Sequence, residues 1–150
     1  MDSNQRIFLL VDDDSDDREL FLEAVESLDP PVQCLVAIDG QDALDLLASL
    51  NDEDLPEVIF LDVNMPVMNG WDCLKTIKQQ EKYKHIPVIM CSTSSHQREI
   101  DTAIDLGALC FCVKPEKFTT LKQIVEIVNK HLGDNLQEEL QKSKTVSFKC

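Results

Sequence analysis

Ile7-Phe8-Leu9-Leu10-Val11-Asp12-Asp13 is a run of large apolar residues that stops on two adjacent carboxylates. Unbroken apolarity over so short a length predicts a strand covered on both faces, because a half-solvated strand would alternate polar and apolar side chains. Four further runs have the same character: Val32 to Ile38, Glu57 to Asp62, Val88 to Ser92 and Leu109 to Val113. Between them lie segments with helical periodicity, such as Leu20, Phe21, Ala24, Val25 and Leu28, or Phe118, Leu121, Ile124, Val125, Val128 and Leu132. Each places its apolar residues on one face of a helix that can cover a sheet. Strands alternating with helices call for right-handed crossovers, which put helices on both sides of a parallel sheet. The expected class is therefore α/β and doubly wound, with a five-stranded parallel sheet and five helices.

Punctuation marks the element boundaries. Asp29-Pro30-Pro31 stops the first helix, Leu55-Pro56 precedes the third run, and Ile86-Pro87 precedes the fourth. Gly133 is placed to cap the fifth helix. Residues 1–133 read as one domain. From Asp134 to Cys150 the composition turns polar, with Leu136 and Leu140 at helical spacing, and a C-terminal extension forming a short helix or partly ordered tail is expected.

Composition narrows the function classes. The 150 residues are 43% hydrophobic, enough to bury one continuous core without disulfides or structural metal. Lys and Arg total 14 against 28 Asp and Glu, for a formal charge of -14, which opposes nucleic-acid phosphates and anionic lipid. Neither nucleic acid nor membrane is an expected partner. Met1-Asp2-Ser3-Asn4 has no basic region leading into an apolar stretch, and no run approaches the roughly 20 apolar residues that span a bilayer. A cytoplasmic protein is expected. Cys34, Cys91, Cys110 and Cys112 lie within apolar runs and are read as core residues. Cys110 and Cys112 are taken to face opposite sides of their strand, and no cysteine or histidine spacing suits zinc.

The strand ends carry the chemistry. Parallel strands share one carboxyl-terminal edge, and that edge here would gather Asp12, Asp13, Asp62, Ser92 and Lys114. Three carboxylates brought together repel one another unless a cation sits among them, and hard oxygen ligands suit Mg2+. A competing reading of Asp12 to Asp17 is helix capping, which Asp14, Ser15 and Asp16 would serve, with Glu19 as a capping-box partner of Asp16. That reading leaves Asp12 and Asp13 for a metal. The series Ser92-Thr93-Ser94-Ser95 has a similar double reading, as phosphate-facing hydroxyl or as helix N-cap.

Four separated signatures then stand in a telling order: Val11-Asp12-Asp13, the loop from Asp62 to Gly70, Pro87-Val88-Ile89-Met90 running into Ser92-Thr93-Ser94, and Val113-Lys114-Pro115. In them the chain resembles the receiver domain of two-component response regulators, over about residues 5 to 132. The resemblance implies a flavodoxin-like sheet in the order 2-1-3-4-5. It implies that Asp62 accepts a phosphoryl group, and that Asp12, Asp13, Asp62 and the backbone carbonyl of Asn64 hold Mg2+. Lys114 and Ser92 would contact the transferred group, and Phe111 would take the family's aromatic switch position, where the alternative is plain core filling.

Such a protein would be a stand-alone phosphoacceptor switch rather than an enzyme. Its expected partners are a sensor histidine kinase, phytochrome-like or hybrid, and either a downstream protein or a histidine phosphotransfer protein in a relay. Homodimerisation through the signalling face or the tail is compatible with the pattern. The face of the fourth helix (about Ser95 to Leu106), fifth strand and fifth helix is the expected signalling surface. A Mg2+-dependent aspartyl phosphatase is disfavoured by Asn64, which stands where such enzymes need a second Asp. A nucleotide-binding module is disfavoured because the four glycines, at 40, 70, 107 and 133, form no phosphate-cradling loop.

Overall fold

The structure, a computed structural model, describes residues 5–94, 96–143 and 148–150. It consists of β1 (Arg6–Val11), α1 (Ser15–Glu26), β2 (Val32–Ala37), α2 (Gly40–Ser49), β3 (Val58–Asp62), α3 (Gly70–Gln79), β4 (Val88–Ser92), α4 (Gln97–Asp105), β5 (Cys110–Val113), α5 (Phe118–His131), α6 (Leu136–Lys142) and β6 (Phe148–Lys149). The sheet order is β2-β1-β3-β4-β5-β6, parallel except for β6, which pairs antiparallel with β5. The doubly wound parallel sheet expected from the runs is present. The added sixth strand was not foreseen. Ser95, expected to open the fourth helix, lies outside the described residues, and α4 spans Gln97–Asp105.

Two apolar layers explain why the strands lack polar alternation. Leu9, Val11, Ile59, Leu61, Met90 and Phe111 face α2, α3 and α4. Phe8, Leu10, Phe60, Ile89, Cys110 and Cys112 face α1, α5 and α6. Every residue of β3 is buried, as a central strand packed between helices requires. Cys110 and Cys112 therefore share a face instead of splitting, because the side-chain period of a strand is two. Cys110 is a core residue as expected, and it is also disulfide-bonded to Cys150. Burial pushes the thiols of Cys34, Cys73 and Cys112 up to about 12, so they stay neutral and act as small hydrophobes.

Register places the strand ends. β1 and β3 pair Val11 with Leu61, so the next residues, Asp12 and Asp62, end neighbouring strands side by side. β3 pairs Asp62 with Cys91, and β4 pairs Ser92 with Val113, one residue before Lys114. The α1 start follows the capping expectation in part. Asp14 is the N-cap and accepts from the backbone N–H groups of Asp16 and Asp17. With the cap at Asp14, the third helical residue is Asp17, so a capping box between Asp16 and Glu19 is out of register.

The segment joining β3 to α3 is pinned by glycine. A Cβ added at Gly70 would overlap the carbonyl oxygen of Asp62 and lie 2.8 Å from Val63 Cα, and the Gly70 amide donates to Val63 O at 2.9 Å. Gly70→Ala is expected to lower stability by about 1–3 kcal/mol, the usual cost of forcing atoms into a packed site. A lower urea midpoint at unchanged slope is the expected readout, and an unchanged midpoint would mean that the backbone yields without cost.

Candidate functional site

The four signatures converge at the carboxyl edge of the sheet. One oxygen each from Asp12, Asp13 and Asp62 lie within 4.8 Å of one another. Lys114 Nζ donates to Asp12 Oδ2 at 3.0 Å and to Asp17 Oδ2 at 3.0 Å, and stands 3.5 Å from Asp62 Oδ1. Asp12 Oδ1 accepts from the Asp14 amide at 3.0 Å, and its carbonyl accepts from Arg18 Nη1 at 2.9 Å. Asp12 is thus paired with a lysine 102 residues away along the chain.

Asp62, at the end of β3, is only 7% exposed, whereas Asp13 is open to solvent. Asp62 nevertheless lines a cavity of about 80 Å³ together with Asp12, Asp17, Phe60, Cys91 and Lys114. Burial pushes its carboxyl up to about 6; Lys114 opposes that shift, and the charges of Asp12 and Asp13 add to it. The group is still mainly ionised at neutral pH. For Lys114, burial favours the neutral amine, but hydrogen bonds to Asp12 and Asp17 and the charges of Asp62 and Asp12 outweigh it and hold the ammonium well above the usual lysine range.

Ser92 ends β4, is fully buried, and its Oγ accepts from the Ser94 amide at 3.1 Å. The competing N-cap reading of this series does not describe Ser92 or Ser94, because the residue in the N-cap position of α4 is His96. Lys114 is tied to the same strand end, its amide donating to Ser92 O at 2.8 Å. Asn64 lies two residues beyond Asp62 in an exposed part of the loop, and Phe111 is fully buried in β5 against the layer that includes Ile100 and Ala103 of α4. Asp17 and Arg18 were missed by sequence reasoning. Their only signal was a place in the first turn of α1, where an acidic residue already has a sufficient explanation in the helix dipole.

The donor set suits a hard divalent cation. Magnesium–oxygen distances of about 2.1 Å place ligand oxygens about 3–4 Å apart, so only a small closure of the three carboxylates is needed. No thiol or imidazole belongs to this cluster.

Residues 8–126 match the family model of the response regulator receiver domain. The chain belongs to that family. The CheY homolog of Campylobacter jejuni is 35% identical over 120 residues, covering 80% of this chain and 89% of that protein. The structure of the phosphorylated cyanobacterial phytochrome response regulator RcpA aligns with a TM-score of 0.77 at 29% identity, over 85% of this chain and 94% of that one. The Mn(2+)-bound form of response regulator Rcp1 aligns with a TM-score of 0.73 at 26% identity, over 83% and 92% respectively. As a receiver domain the chain is part of two-component signalling, where receivers act as phosphoacceptor switches between histidine kinases and downstream targets. Its acidic cluster is of the kind that holds a divalent metal. No helix among the described residues is long and apolar enough to cross a membrane.

Proposed function

We propose that this receiver accepts a phosphoryl group on Asp62 from a histidine kinase and signals by a phosphorylation-dependent change of surface. The carrying observation is that Asp62 lies with Asp12 and Asp13 within 4.8 Å and with Lys114 Nζ at 3.5 Å, at one sheet edge. In the reaction a carboxylate oxygen of Asp62 attacks phosphorus. The new O–P bond forms as the P–N bond to the kinase imidazole breaks, and the imidazole leaves carrying a proton. Burial serves this step, since a nucleophile with little bound water has less to shed before attack. In this reading Lys114 Nζ follows the charge onto the phosphoryl oxygens, and the Ser92 hydroxyl donates to one of them.

Asp12, Asp13, Asp62 and the Asn64 carbonyl would hold Mg2+. Bound there, the ion would neutralise charge developing on the transferring group. In this reading residues 1–133 form the receiver and 134–150 an extension, the protein works in the cytoplasm, and RcpA's similarity favours a phytochrome-like kinase. Phosphorylation adds charge and acceptor oxygens, which draw Ser92 and Lys114 inward and shift the packing of Phe111 and α4.

Acetyl phosphate with Mg2+ is expected to add one phosphoryl group to the intact protein, seen by mass, and Asp62→Asn to abolish the adduct. A full-stoichiometry adduct on the variant would move the acceptor elsewhere. Steady release of phosphate without an adduct would make the protein a phosphatase.

A further inference from the structure

The edge of β5 is occupied by the chain itself. Phe148 and Lys149 of β6 pair with Cys112 and Phe111, and Cys150 is disulfide-bonded to Cys110. Phe148 is buried in the layer that includes Leu140 of α6, and Gln141 Nε2 donates to the Cys150 carbonyl at 3.4 Å. On the other side, α4 and β6 border a groove of about 590 Å³ lined by Ile100, Ile104, Phe148 and Lys149. This is the surface that the proposed function assigns to output, so the inference rests on that reading for its consequence but not for its mechanism.

We propose that residues 148–150 form a thiol-controlled latch: the Cys110–Cys150 disulfide holds β6 over the β5 edge, and reduction releases the strand and uncovers that edge. A two-residue ladder is too short to hold itself in place, and one phenylalanine and one side-chain hydrogen bond are modest additions. The covalent link therefore decides whether the strand stays seated. Its pairing partner is Phe111, the residue at the switch position, so the latch and the proposed phosphorylation response act on the same strand.

The exchange balances with a dithiol reductant. A thiolate of the reductant attacks the sulfur of Cys150, a residue that is partly exposed, and the bond to fully buried Cys110 breaks, leaving a Cys110 thiolate that takes up a proton. The reductant's second thiol then displaces Cys150 and departs as the cyclic disulfide, having supplied two electrons. Closing runs through two exchanges with a small-molecule disulfide, which leaves as two thiols. Cys34, Cys73, Cys91 and Cys112 compete poorly, because burial keeps them protonated. Once open, β5 presents unpaired backbone groups, the usual template for an added strand from another chain.

The test uses the full chain purified in air, compared with the same sample after dithiothreitol. Peptide mapping is expected to find Cys110 linked to Cys150 within one chain before treatment. Amide exchange in residues 110–113 and 148–150 is expected to quicken at least about tenfold on reduction, with β1 and β3 unchanged. Cys150→Ser should match the reduced sample under both conditions, while Cys34→Ser should behave as the parent. Equal exchange in the two forms, free thiols at both positions, or a link to a second copy would each overturn the proposal. Acetyl phosphate labelling of the same samples separates the two readings. Loss of labelling with the exchange difference intact would remove the assigned function and leave the latch standing, and the reverse result would do the opposite.

Discussion

Asp62→Asn is expected to make the metal-free protein more stable at neutral pH, although it removes the residue on which the proposed chemistry depends. The folded carboxyl binds its proton more tightly than the unfolded one, with a value of about 6 against 3.8. Below 3.8 both states are protonated and the group costs nothing. As pH rises through the interval to about 6 the unfolded state ionises first, and stability is lost until the folded group ionises as well. Above that the penalty is constant, with an upper limit of about 3 kcal/mol at about 1.4 kcal/mol per pH unit. Asparagine has nearly the shape of the protonated acid and avoids the penalty.

Urea denaturation in the presence of a chelator should therefore place the variant above the parent at pH 7.5, with the two converging toward pH 4. Added Mg2+ should stabilise the parent by mass action and move the variant much less. A variant less stable than the parent throughout would mean that Asp62 is held by attraction to Lys114 and not strained by its burial beside Asp12 and Asp13.

Lys114→Met should act in the opposite direction from the same pocket. The substitution keeps much of the apolar stem and removes the ammonium that contacts Asp12, Asp17 and Asp62. Breaking a fully buried ion pair costs about 3–5 kcal/mol, and the partial exposure of Lys114 and Asp17 reduces that here to about 2–4 kcal/mol. Two cations would otherwise share the acidic cluster, so the variant should also bind Mg2+ more tightly and recover more stability from it than the parent does. A melting curve unchanged in chelator would show that the three carboxylates need no partner. Opposite signs for the two substitutions are the signature of a site built around repelling acids with one resident counter-charge.

Much of this site could be read without coordinates because several of its residues lie at strand ends. Asp12, Asp62 and Lys114 follow apolar runs, and parallel strands joined by right-handed crossovers must present those ends on one edge. Asp17 illustrates the limit. Its position in the first turn of a helix explained it fully, and nothing local indicated that it would reach Lys114. Asp62 shows a second limit, since a strand-end position does not fix exposure. The side chains packed around its pocket, Phe60, Cys91 and Lys114 among them, decide it.

By itself, the sequence determined the layered α/β class, the five parallel strands and the residues that would meet at their ends. Those features follow from short-range periodicity, and connection handedness supplies the remaining constraint. Only the tertiary structure decided the sixth strand, the pairing of Cys110 with Cys150 and the burial of the Asp62 carboxylate. A two-residue strand carries no periodic signal, and six cysteines are compatible with many pairings. Both outcomes depend on which surfaces remain uncovered once the rest of the chain has packed.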